Sequence, residues 1–109
     1  MNTTTLKNRI AFVYTKKNQL NAHYSSAIEF LEKLAKGERV HPKHWAGSYS
    51  HMNLVDKSIR LEEILKAAKI AFINGNDAEH SGVEGDFYEL TAAGRKQLKD
   101  VDFSKLDKR

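Results

Sequence analysis

From Leu6 onward, apolar side chains recur at Ile10 and Val13, pass over Lys17, and resume at Leu20, Tyr24, Ala27, Leu31 and Leu34, in steps that alternate four and three. That spacing keeps a single stripe on one side of a helix. It fits either one long helix over residues 3–36, whose stripe a second copy would cover in a homodimer, or two antiparallel helices that break in the polar stretch from Lys16 to Asn21. Thr3, Thr4 or Thr5 is expected to cap the first helix. Gly37 ends the region, with Lys33 and Lys36 in the last turn where cations suit the helix dipole.

A second pattern covers residues 53–98. Asn53 is an N-cap for a helix to Ala68, whose inward face is read as Leu54, Ser58, Leu61, Leu65 and Ala68 with Ile64 beside them. Asp56, Lys57, Arg60, Glu63 and Ala67 are assigned to the rest of its surface. Residues 69–74 are rich in β-formers and predict a strand, and Asn74-Gly75-Asn76-Asp77 predicts a turn. Residues 86–90 restore strand character, and Thr91 caps a closing helix that reaches Leu98. The link between the strands, about a dozen residues, is too long for a tight hairpin and predicts a loose loop. In the tail, residues 99–109, only Val101, Phe103 and Leu106 can dock, and Asp107 to Arg109 are expected to fray. The sum is one α+β, mostly helical domain over residues 1–109, with a helical N-terminal half and one β-hairpin.

Composition narrows the function classes. The chain has 109 residues and no cysteine, which excludes disulfides, thiolate nucleophiles and Cys-based zinc sites. Apolar runs such as Ile10 to Tyr14 are too short to span a bilayer, and Met-Asn-Thr-Thr-Thr is no signal sequence, so a soluble cytoplasmic protein is expected. The net charge of +4 is unevenly spread: residues 1–60 carry +6, residues 61–90 carry −5 and residues 91–109 carry +3. A basic first half supplies the phosphate attraction that nucleic-acid binding needs.

The irregular segment over residues 37–52, broken by Pro42 and Gly47, gathers Arg39, His41, Lys43, His44, Trp45, Tyr49 and His51. Cations among aromatics suit phosphate contact with base stacking, so Arg39, Lys43, His44 and Trp45 are candidate binding residues. Trp45, the only tryptophan, equally suits a core anchor with Tyr49 beside it. Metal binding is not expected. His41-x-x-His44 flanks a proline in a loop and lacks the helical His-Glu-x-x-His geometry that aims both rings at one ion. No nucleophile elbow or phosphate-binding glycine loop is present either, so no enzyme and no cofactor are expected.

The run RLEEILKAAKIAFING…GDFYELTAAGRKQL, Arg60 to Leu98, resembles the recognition-helix, wing and final-helix segment of winged helix-turn-helix proteins of the MarR and PadR kind. The resemblance covers a little over a third of the chain and is to fold. It implies a winged-helix-like domain in which Thr91 caps the last helix and Gly94 permits close packing. It also implies that the N-terminal side of the third helix enters the DNA major groove, offering Asn53, Lys57 and Arg60. The wing departs from that pattern by carrying Asp77, Glu79, Glu84 and Asp86, which phosphate repels. Two functions follow as expectations. One is a small DNA-binding regulator of phage or mobile-element origin. The other is an inhibitor or adaptor of the same origin, of the anti-CRISPR kind, that blocks a host protein complex.

Overall fold

The computed structural model describes residues 1–17, 20–45, 52–76 and 86–106. Its element order is α1 (Thr3–Lys17), α2 (Leu20–Ala35), a 3-10 turn (Pro42–His44), α3 (Leu54–Ala68), β1 (Phe72–Asn76), β2 (Asp86–Leu90), α4 (Ala92–Leu98) and a second 3-10 turn (Phe103–Lys105). The class is α+β and mostly helical. The N-terminal stripe belongs to two helices, because one straight helix over residues 3–35 would be about 50 Å long, whereas the longest dimension of the fold is 37 Å.

Caps fix the helix ends. Asn2, and none of the three threonines, caps α1: its Oδ1 accepts from the Thr5 amide at 2.8 Å. Thr3 spends its hydroxyl elsewhere, accepting from the Asp102 amide at 2.8 Å and tying the tail to the start of the chain. Gly37 closes α2 at φ 87°, where a glycine pays no side-chain clash, and the amides of Gly37 and Glu38 donate to the carbonyls of Leu34 and Lys33. The same motif ends α3 on a residue less suited to it, Lys69 at φ 58°. The Ile70 amide reaches back to Leu65, and Arg9 on α1 donates to the Ala68 carbonyl at 3.0 Å.

This left-handed cap moves the first strand. The sequence predicts a strand from Lys69 and a turn at Asn74, but β1 begins at Phe72 and runs through Asn76. Lys69 turns the chain and Ile70, 4% exposed, drops into the core. Gly75 is therefore a strand residue, opposite Phe87 in an antiparallel register that also pairs Phe72 with Leu90 and Asn74 with Tyr88. A Cβ at Gly75 would lie 2.5 Å from the Phe87 ring, so the missing side chain is what lets the ring lie across the strand. The residues joining β1 to β2, with the acidic positions Asp77, Glu79 and Glu84, lie outside the described residues.

The core is one cluster. Leu6 and Ile10 of α1, Ile28, Phe30, Leu31 and Leu34 of α2, and Leu61, Ile64 and Leu65 of α3 have no exposed surface, and Tyr88 and Leu90 of β2 close it. Burying each such side chain contributes roughly 1.5–3 kcal/mol. Phe30 is its aromatic centre, meeting Trp45 edge-on at 5.8 Å and Tyr88 at 6.2 Å. Val40 exchanges both backbone hydrogen bonds with Tyr88 at 2.9 Å, which lays the segment after α2 along β2. The tail docks as far as Leu106, which is 4% exposed. Asp107 to Arg109 lie outside the described residues.

Candidate interaction surface

The seven candidate binding residues separate into two groups. Asn53 faces its own helix: its Oδ1 accepts from the Asp56 amide at 2.8 Å and its Nδ2 donates to the Asp56 carboxylate at 3.0 Å. Lys57 is 6% exposed, and its ammonium donates to the Trp45 carbonyl at 2.9 Å. Arg60 is held along the helix by Glu63 at 3.0 Å, with 16% of its side chain exposed. The α3 set is thus committed to capping, core and intrahelical pairing.

The placement of Lys57 corrects the predicted helix face. The buried positions are Lys57, Leu61, Ile64, Leu65 and Ala68, while Leu54 and Ser58 are half-buried. Steps of four, three and four from Lys57 through Leu61 and Ile64 to Ala68 form a regular helical seam. The spacing was visible, but a lysine at its head reads as solvent-facing. A long aliphatic stem with one polar tip can line a core when a carbonyl receives the ammonium, and the Trp45 carbonyl does so.

Trp45 is the core anchor. Its ring is 5% exposed, which leaves no face for a nucleobase, and its Nε1 has no hydrogen-bond partner among the described residues. Arg39, Lys43 and His44 do stand at the surface. Arg39 lies 4.3 Å over the Phe87 ring and 3.4 Å from the Glu89 carboxylate. His41 and His44 meet edge-on at 6.1 Å, and His41 also lies 5.9 Å from Phe87. Among the described residues no three metal-ligating side chains gather. Tyr49 and His51 lie outside them.

Sequence reasoning missed the outward face of α3. Val55 is 57% exposed and Ile59 is 54% exposed, large values for β-branched side chains on a helix. Glu62 and Lys66 continue the same stripe, paired at 3.0 Å, and Glu63 flanks it. Ile59, Glu62, Glu63 and Lys66 line a shallow depression of about 260 Å³. Glu62 is steadied from behind by the Tyr88 hydroxyl at 3.4 Å, which also donates to the Ser58 carbonyl at 3.0 Å. With Asp56 exposed nearby, the face sets two apolar side chains among three carboxylates, of which Glu62 is paired with Lys66 and Glu63 with the mostly buried Arg60. The signal was present as Val55 and Ile59 four apart, off the buried seam.

No described helix is long and apolar enough to cross a membrane. Compared with family models, curated proteins and solved structures, the chain matches none.

Proposed function

We propose that this protein is a docking module that binds another protein through the outward face of α3, as a small inhibitor or adaptor of phage or mobile-element origin would. A winged-helix-like scaffold is part of this proposal; the fold itself gives a helix, a two-stranded hairpin and a helix in that order. One observation carries the reading: the helix that would enter a DNA groove presents Val55 and Ile59 among Asp56, Glu62 and Glu63. Carboxylates outnumber cations there and give phosphate no net attraction, whereas a partner surface with apolar residues ringed by lysine or arginine complements the face in both respects. The exposed pair supplies the desolvated centre of such a contact, and the carboxylates supply its rim.

Lysine substitutions separate this function from DNA binding. Val55→Lys with Ile59→Lys removes the apolar centre and adds like charge against a basic partner, so protein binding is lost. On a DNA-reading helix the same two lysines would add phosphate contacts, raising duplex affinity and steepening its fall with salt.

A DNA-binding function retains one favourable observation, the exposed cations Lys33 in the last turn of α2 and Lys36, Arg39 and Lys43 after it. Titrating duplex DNA at increasing salt tests it. Binding that falls with salt and is weakened by Lys43→Ala and Arg39→Ala supports DNA binding by that edge. Absence of binding at low salt eliminates it.

A further inference from the structure

The carboxyl end of α2, the segment after it and the first 3-10 turn line an open pocket of about 170 Å³ whose residues include Lys33, Glu38, Arg39, His41, His44 and Trp45. Sites for drug-sized ligands run about 300–1,000 Å³. This one has room for a small ion with its water and little more.

We propose that this cavity binds a phosphate dianion, free or as the terminal group of a small monoester. Two observations support it. Lys33 in the last turn of α2, Arg39 and His41 in the segment after it and His44 in the 3-10 turn line one space, which suits the several directions in which a tetrahedral oxyanion accepts hydrogen bonds. Trp45, which lines the same pocket, carries a buried Nε1 that has no hydrogen-bond partner among the described residues.

Opposing charge is limited. Glu38 stands at the rim, and Glu89 is engaged by Arg39 at 3.4 Å. The C-terminal carbonyls of α2 would repel an anion, but those of Lys33 and Leu34 already accept from the Glu38 and Gly37 amides. Arg39 is held by the Phe87 face at 4.3 Å, so its guanidinium is oriented before any ligand arrives.

Because Trp45 is the only tryptophan, its fluorescence reports on this wall without a label. Full-length protein is titrated with inorganic phosphate at constant ionic strength, and with acetate and sodium chloride in parallel. A saturable change with phosphate alone, weakened about tenfold or more by Arg39→Ala and by Lys33→Ala, is the expected result. Both substitutions are at exposed positions, and Lys66→Ala on the far side of α3 should leave the affinity unchanged. A linear response matching sodium chloride, or equal affinity in Arg39→Ala, overturns the proposal. So does displacement of phosphate by a single-stranded oligonucleotide lacking terminal phosphates, which would mean that the site takes a backbone diester.

Discussion

Gly94 shows how one atom constrains this fold. A Cβ there would lie 2.1 Å from the Ala71 carbonyl oxygen, a backbone atom that also accepts from the Thr91 amide and hydroxyl. Gly94→Ala should therefore cost about 1–3 kcal/mol, read as a lower midpoint in chemical denaturation. Lys69 is the converse, a side chain where the backbone prefers none. Lys69→Gly should raise stability by roughly 0.5–1 kcal/mol in the same assay, since it relieves the left-handed strain at α3's end. Lys57→Ala removes the ammonium that holds the Trp45 carbonyl. It should cost about 1–3 kcal/mol and shift Trp45 emission toward that of a wetter ring; a lysine that only met DNA would change neither. Asp102 supplies a pH dependence. Hydrogen bonds from the Ser104 hydroxyl and then its amide, with Lys105 nearby, hold its carboxyl below the ordinary range. A lowered carboxylate contributes stability above the usual carboxylate range and loses it as pH falls through its own value. The Ser104 amide signal, whose donor bonds this carboxylate, should therefore shift at a pH below that of an ordinary aspartate.

At the scale of elements, the sequence predicted helices better than faces. Periodicity located the helical stretch over residues 3–36, without deciding between one helix and the two observed, and it located α3; Thr91 marked α4 correctly, its hydroxyl accepting from the Gly94 amide at 3.0 Å. The errors came where tertiary contact outranked local preference. Asn74, Gly75 and Asn76 form a turn by composition, yet pairing with Tyr88, Phe87 and Asp86 draws them into a strand. Lys57 reads as surface and is core, because its partner is a carbonyl twelve residues away that no local pattern announces. The candidate site suffered accordingly. Asn53, Lys57 and Arg60 carry the right chemistry for bases, but each is used within the protein. The exposed pair Val55 and Ile59 was legible only after the buried seam was known. Replacing both with lysine should alter stability by no more than about 0.5 kcal/mol, the usual range for surface substitutions, as checked by thermal unfolding.

Across the whole molecule the charge asymmetry gains a geometry. The basic N-terminal half is not a uniform surface: Arg9 and Lys57 face inward to carbonyls, while Lys33 in the last turn of α2 and Lys36, Arg39 and Lys43 after it are exposed. The acidic middle of the sequence gives α3 its outward carboxylates. Two faces of different chemistry result, one cationic around a small cavity and one apolar with an acidic rim. Composition revealed the imbalance but could not place it, since position on the surface depends on which face of each helix the core consumes.

The claim that α3 is a protein-docking face is tested most directly by immobilising the intact protein and its Val55→Lys/Ile59→Lys variant side by side in nuclease-treated lysate from a host cell, with duplex DNA binding measured on both. The account predicts a stoichiometric protein partner on the wild-type chain, lost from the folded variant, and no gain in duplex affinity. A variant that keeps the partner, or that binds duplex DNA more tightly than the wild type, would contradict it.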